Sequence, residues 1–543
     1  MQHRFDDLYT AVYELIDDAK MGRNLVKLQK GSHAAVDPYP AVLEMGAHLY
    51  RRRRGLLAFA AHQVAPFQHD VRVDHLTVFD HLYRPRLALR EVFERMTVEH
   101  RRHAPTLTDD DILARVTQRE HELGRYRGGS SGGDDEARAV AALHFRQTGI
   151  RGATSRDVTI CCGGAKGAFM ALTGAVMCRH ENERVHRMSG RMLVPAGYYQ
   201  SLRVVPPVFG GTIDVAARLD AEHVEAWLDD TVTVAGRIIY VPLVNNVDGQ
   251  VLTRDRAHEI AQVVLRHNQR SANPVWVLGD DVYAGSYLLD PQRLQPTPIG
   301  AVTGDDLGEP GLGVMSDWTL SVVTSSKTFA LPTSRVAFAH TTNPALRAGV
   351  EHYRTMLSMG RVPQGDELTA AAAIALTPQL WVDDWNQLYQ RRVHWLREQL
   401  AAINAEAGTP VYSVTPPQGG WYVALRINPH ALAGTGVRTG VDMLAVLLHY
   451  GGHVVESGIA ALPGELSGYE LCPEHPDFVL RLSLAVDDAE LDRLTHRLRD
   501  LAVLLTGPER DQVVATALRR AAGVAPSIIG RPTSALVGTH RNG

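Results

Sequence analysis

Short apolar runs alternate with longer stretches of helical period from about residue 155 to 330. "DVTICCGG" precedes "AKGAFMALTGAVMC", "RMLVPA" precedes "GYYQSL", and "GRIIYVPLV" precedes "NNVDGQVLTRDRAHEIAQVVLRH"; "PVWVLGDDVY" and "WTLSVVTSS" follow. Unbroken apolar runs of this length read as strands buried on both faces, with the helical stretches forming the layers that cover them. The order predicts an α/β domain with a mostly parallel sheet. After about residue 355 a long helical region leads to two further strand-like runs, "GGWYVALRI" and "FVLRLSLAV", with helices beside them. That pattern predicts a second, smaller α+β domain.

The N-terminal part is patterned differently. "MQHRFDDLYTAVYELIDDAK" starts with a helix-like period, and "GSHAAVDPYPAV" is a Gly/Pro-rich loop. In residues 49–120, apolar positions at helical spacing lie between basic ones, which predicts a helical insertion. Within it, "TLTDDDILARVTQREHEL" offers Thr106 or Thr108 as an N-cap with acidic residues in the first turn. "RYRGGSSGGDDEAR" then reads as a loop before a helix. The expected organisation is an N-terminal segment and loop at 1–48, the insertion at 49–120, a large domain at 121–355, a small domain at 356–506, and a helix with a polar tail at 507–543. No internal repeat is visible.

Composition narrows the class. The chain has 543 residues, 45% hydrophobic and 21% charged, with a net charge of −4, as expected of a globular enzyme-sized protein with no general pull toward nucleic acid or anionic membranes. No run approaches the roughly 18 apolar residues of a membrane span. The start lacks the apolar core of a signal peptide. Four cysteines, two of them the adjacent Cys161 and Cys162, form neither a disulfide framework nor a spaced metal set. A reducing, cytoplasmic setting is therefore expected. Of 56 lysines and arginines only five are lysines: Lys20, Lys27, Lys30, Lys166 and Lys327.

Ligands of open α/β sheets collect beyond the carboxyl ends of the strands, so the residues after each apolar run deserve separate reading. After the first run comes Gly163-Gly164-Ala165-Lys166-Gly167, an ordinary tight turn or an anion-binding helix start. It is not a P-loop, since no Ser or Thr follows Lys166. Later runs are followed by Tyr198, by Asn246, by Asp280 and Tyr283, and by Thr324, Ser326, Lys327 and Arg335. Singly these read as a core aromatic, a turn, a helix cap and a solvated lysine. Together they match the needs of a phosphorylated aldehyde cofactor. A lysine forms a Schiff base with the aldehyde, a carboxylate pairs with the pyridine nitrogen, Asn and Tyr hold the ring oxygen, an aromatic stacks on the ring, and an arginine with hydroxyls grips the phosphate.

"SSKTFALPTSR" resembles the Ser-x-Ser-Lys-(x7)-Arg box of the fold-type I pyridoxal-phosphate enzymes, and specifically of the class I/II aminotransferases. "DDVY" is similar to that family's Asp-Glu-x-Tyr, and "NNVDG" stands where the family has Asn-Asn-Pro-Thr-Gly. "PQGGWYVAL" and "FVLRLSLA" resemble its small-domain strands. The resemblance covers roughly residues 121–505. It implies pyridoxal 5'-phosphate as the cofactor, with Lys327 as the Schiff-base lysine and proton shuttle and Asp280 at the pyridine nitrogen. Tyr283 and Asn246 would lie at the ring oxygen and Tyr198 on the ring face. Gly164, Ala165, Lys166, Thr324, Ser326 and Arg335 would lie around the phosphate. Arg481 would hold the substrate carboxylate, and Tyr126 would reach the partner subunit's phosphate in a homodimer. The chain departs from the family with Val247-Asp248 in place of Pro-Thr and Thr333-Ser334 before Arg335, where a glycine is usual.

The first expectation is an aminotransferase acting on an α-amino acid, in specialised metabolism. The alternative is γ-elimination or replacement using S-adenosylmethionine, with the fragment joined to a nucleotide-like partner. A third reading, a regulator that kept the fold, lacks a visible helix-turn-helix in the N-terminal segment.

Overall fold

The computed structural model describes residues 7–20, 25–29, 132–181, 184–187, 190–358, 362, 364–377, 379–452, 457–470 and 475–532. The insertion predicted over 49–120, Tyr126, Lys30, Cys472 and the end of the tail lie outside the described residues.

The chain builds an α/β fold around a seven-stranded sheet. Its strands are β2 (Val158–Cys162), β5 (Gly190–Pro195), β6 (Thr212–Ala216), β7 (Gly236–Pro242), β8 (Trp276–Asp280), β9 (Thr319–Thr324) and β10 (Val336–His340), in the order β2-β10-β9-β8-β7-β5-β6. Strands β6, β5, β7, β8 and β9 pair in parallel, while β10 runs antiparallel between β9 and β2. All residues of β7 and β9 are buried, which is why these stretches read as unbroken apolar runs rather than alternating ones.

Two helices show how the sheet is covered. The helix Arg254–Arg270 follows β7 and buries Ala257, Ile260, Ala261, Val264 and Leu265, an i, i+3, i+4, i+7, i+8 stripe. The helix Ala165–Met177 follows β2 and is almost wholly apolar. It packs closely on the helix Pro344–Ser358 because Gly174 admits the Tyr353 ring: a Cβ there would lie 2.4 Å from Tyr353 Cδ1.

A second sheet has the order β11-β12-β15-β14 and is antiparallel, formed by β11 (Tyr412–Val414), β12 (Tyr422–Ile427), β14 (Leu462–Pro463) and β15 (Phe478–Ser483). The helices Gln379–Ala407, Gly440–His449, Asp488–Thr506 and Arg510–Val524 accompany it. The first helix of the chain, α1 (Asp7–Lys20), buries Leu8, Val12, Leu15, Ile16 and Ala19 and packs against the helices Gly440–His449 and Arg510–Val524. The following strand β1 (Val26–Lys27) pairs in parallel with β13 (Ile459–Ala460).

Two local differences from the sequence pattern have physical causes. "GYYQSL" forms only a 3₁₀ turn over Gln200–Val204 and one further turn over Val205–Val208, since Pro206 and Pro207 lack the N–H groups that a longer helix needs. "VAFAH" is an added antiparallel strand, short enough to be hidden behind the lysine box.

Candidate active site

Parallel pairing brings the ends of β5, β7, β8 and β9 to one edge of the sheet. Asp280 closes β8, opposite Pro242 of β7 and Val322 of β9. Tyr240 lies two residues before Pro242 and therefore shares Asp280's face. Its hydroxyl donates to Asp280 Oδ2 at 2.6 Å, with the Tyr199 backbone amide nearby. Burial raises the Asp280 carboxyl to about 6, against the opposing pull of the Tyr240 bond, the Val282 amide and the Lys327 charge. Asp281 points elsewhere. Both its oxygens are buried without a well-aligned hydrogen bond, and burial, then the Asp280 charge, push it up to about 8; the Ser321 hydroxyl beside it pulls the other way.

The two asparagines after β7 divide the work. Asn245 ties loops together: its Nδ2 donates to the Ala196 carbonyl at 2.8 Å, and its Oδ1 accepts from the Val247 amide at 3.0 Å. The approach requires Gly197, where a Cβ would lie 2.1 Å from Asn245 Oδ1. Asn246 turns inward, donating to the Tyr283 hydroxyl at 3.2 Å and accepting from Arg481 Nη1 at 2.6 Å. Tyr283 is buried and meets Trp421 at 5.1 Å between centroids.

Lys327 is half-buried, with Nζ 5.7 Å from the Tyr283 ring centroid and 6.0 Å from that of Trp421. Its neighbours fix the loop. Ser325 Oγ bonds Ser334 Oγ at 2.8 Å, and Thr328 Oγ1 donates to the Ala284 carbonyl at 3.0 Å. Thr324 Oγ1 donates to the Val336 carbonyl at 2.6 Å, accepts from the Ser326 amide at 3.2 Å, and lies 2.9 Å from Ser326 Oγ.

Arg335, in the left-handed region at φ 52°, turns back onto the glycine turn after β2. Its Nη2 donates to the Gly163 carbonyl at 2.6 Å, and its own carbonyl accepts from the Gly164 amide at 2.8 Å. A Cβ at Gly164 would lie 3.1 Å from Arg335 Nη2. Ala165 and Lys166 open the helix Ala165–Met177, whose first N–H groups face this corner. Tyr198 is buried, its ring packed against Gly468 and Val215.

Arg481 comes from β15 of the smaller sheet. Leu480 and Leu482 alternate to the other face, and Arg481 stands opposite Ala424. Besides Asn246, it approaches Gln200 Oε1 at 3.3 Å and the Gln29 carbonyl at 3.5 Å, with its guanidinium carbon 4.2 Å from the Tyr422 ring centroid. Tyr240, Gln200, Trp421 and Tyr422 are neighbours of the site that motif reading does not single out. Tyr240 sits inside an apolar strand, and Tyr422 inside a run read only as β structure.

The fold that carries these groups is similar to that of solved aminotransferases. Aspartate aminotransferase from Thermus thermophilus, solved with maleate, has 15% sequence identity and a TM-score of 0.59, covering 92% of this chain and 97% of that one. The aspartate aminotransferase of Rhizobium meliloti has 17% identity and a TM-score of 0.61 over 92% of this chain and 97% of that one. The aromatic aminotransferase of Pyrococcus horikoshii has 19% identity and a TM-score of 0.55 over 71% and 89%. No curated protein matches the chain. The family model for aminotransferase class I and II matches residues 108–498, so the chain belongs to that family. It is a pyridoxal-phosphate-dependent transferase, since the family's enzymes use that cofactor.

The residues present fit the cofactor on their own chemistry. The site has a half-buried amine, a buried carboxylate held by a phenol, an Asn–Tyr donor pair, and a glycine turn at a helix start with a guanidinium beside it. Among the described residues, no helix is long and apolar enough to cross a membrane, and no His/Cys/Asp/Glu group could hold a metal ion.

Proposed function

We propose that the protein is an aminotransferase that moves the amino group of an α-amino acid to a 2-oxo acid. The observation that carries this reading is the linkage of Arg481 through Asn246 to Tyr283, beside Lys327 and Asp280. It places a carboxylate receptor at a fixed offset from an amine that can anchor an aldehyde. When bound, pyridoxal phosphate supplies an aldehyde that condenses with amines and a ring that accepts electrons from the carbon bearing the amino group.

Lys327 would hold the cofactor through its amine, and the same amine would take and return a proton at the substrate α-carbon. Asp280, bonded by Tyr240, would pair with the pyridine nitrogen. Tyr283 and Asn246 would donate to the ring oxygen, and Tyr198 would cover the ring face. Gly164, Ala165, Lys166, Thr324, Ser326 and Arg335 would hold the phosphate. Arg481 takes the α-carboxylate with two parallel bonds. The expected active unit is a homodimer, in which Tyr126 would serve the phosphate of the other subunit.

The likeness to an aspartate aminotransferase solved with maleate, a dicarboxylate, supports a substrate that carries a carboxylate. The test is incubation of the holoprotein with single amino acids, followed by spectra and product analysis. A 2-oxo acid with conversion of the cofactor to its amine form supports the reading. Release of methylthioadenosine from S-adenosylmethionine, with no 2-oxo acid from any amino acid, would replace it with γ-elimination.

A further inference from the structure

Four side chains form a closed circuit in the site. Arg481 donates to Asn246 at 2.6 Å, and Asn246 donates to the Tyr283 hydroxyl at 3.2 Å. Tyr422 completes the circuit from the other side. The Arg481 guanidinium lies 4.2 Å over its ring, and the Tyr283 ring meets it edge to face at 6.4 Å and 83°.

Strand register explains the contact. Arg481 pairs with Ala424 across β15 and β12, and Tyr422 pairs with Ser483. Tyr422 and Arg481 are therefore diagonal neighbours on one sheet face, close enough for long side chains to meet. The small Ala424 leaves the guanidinium room to lie flat over the phenol. A guanidinium stacked this way keeps its N–H edge outward, toward Asn246 and Gln200.

We propose that Tyr422 is a positioning residue of this site, holding the Arg481 guanidinium in the plane that receives a substrate carboxylate and keeping the Tyr283 hydroxyl in its donor form. The proposal rests on the amino-acid site described above. Its second half follows from crowding: two buried phenols side by side do not both ionise. The Tyr422 hydroxyl is buried and makes no well-aligned hydrogen bond, although Tyr283 and Trp421 lie beside it. Burial raises this phenol, but the Lys327 and Arg481 charges and the neighbouring indole and phenol outweigh it, and the net shift is downward. Tyr283 is held well above the usual phenol range, by burial first and by Tyr422 next. A proton lost from the pair therefore leaves Tyr422, and Tyr283 remains a donor.

The test uses Tyr422→Phe and Tyr422→Leu in the full-length protein, with and without pyridoxal phosphate. Leu removes the stack. It should raise the amino-acid concentration for half-saturation roughly three- to thirtyfold, the range of a desolvated cation–π contact, with little change in melting temperature or cofactor spectrum. Phe keeps the ring and should restore half-saturation. In the cofactor-free protein, ultraviolet titration of Phe against wild type should show loss of a phenol that ionises below the usual tyrosine range. Unchanged half-saturation in the Leu variant, or an unchanged titration in the Phe variant, overturns the proposal. A wild-type protein that takes up no pyridoxal phosphate sinks the parent reading instead, and the phenol titration still decides the Tyr283–Tyr422 half of this one.

Discussion

Tyr240 is a strand residue whose sequence context hides its role. In "GRIIYVPLV" it is one more apolar-run position, and only the β7–β8 register brings its hydroxyl to Asp280. Tyr240→Phe removes a bond to a charged group, worth about 1.5–3 kcal/mol, so turnover should fall roughly ten- to hundredfold. The bond favours the charged carboxylate, so its loss raises the Asp280 pKa and the acid limb of the kcat profile should move to higher pH. An unmoved acid limb would separate Tyr240 from Asp280 function. The adjacent acid behaves oppositely. Burial raises Asp281 to about 8 from the ordinary carboxylate value of 3.8, so between these values the folded state keeps a proton that the unfolded chain has lost. Its contribution to stability therefore declines as pH rises from about 4 to about 8. In cofactor-free protein, Asp281→Asn should flatten that decline in urea unfolding measured at several pH values, while Asp280→Asn should be the variant that loses turnover. The lysine, both acids and Asn246 were legible as residue types after apolar runs, and Arg481, inside a run, only through the resemblance of its strand to the family. The choice of Asp280 over Asp281 rested on its spacing to Tyr283 and on the resemblance, and it depends on where β8 ends.

The turn from β2 into the helix Ala165–Met177 depends on one glycine more than on those around it. A Cβ at Gly167 would lie 1.7 Å from the Cys162 carbonyl oxygen, a backbone atom that no side-chain rotation relieves. Gly167→Ala should therefore displace the helix start and weaken pyridoxal-phosphate binding at least tenfold, a loss of about 1.4 kcal/mol or more, typical of overpacking. Fluorescence titration of the variant with the cofactor checks this; wild-type affinity would mean the turn does not set the phosphate corner. At this scale the parallel strands were readable, because strands covered on both faces leave unbroken apolar runs. β10 was not. Its five residues follow Arg335 at positive φ, and its antiparallel direction is fixed by partners far along the chain.

Across the whole molecule, Arg481 on the smaller sheet and Asn246 on the larger one form a junction as well as a candidate substrate contact. Arg481→Lys separates these roles, since it keeps the charge and loses the planar fork. Half-saturation by an amino acid should rise by the equivalent of about 1.5–3 kcal/mol with near-normal melting. A lowered melting temperature with unchanged half-saturation would make the arginine structural only. The strands of both sheets were visible as runs, but the pairing of β1 with β13 was not, since β1 is only two residues long and its partner comes from the far end of the sequence. The central claim is that one lysine, Lys327, carries the cofactor. Borohydride reduction of the holoprotein, digestion and mass mapping tests it most directly. The account predicts a pyridoxyl label on Lys327 and none on a Lys327→Ala variant, whereas a label on Lys166, Lys20, Lys27 or Lys30 would contradict it.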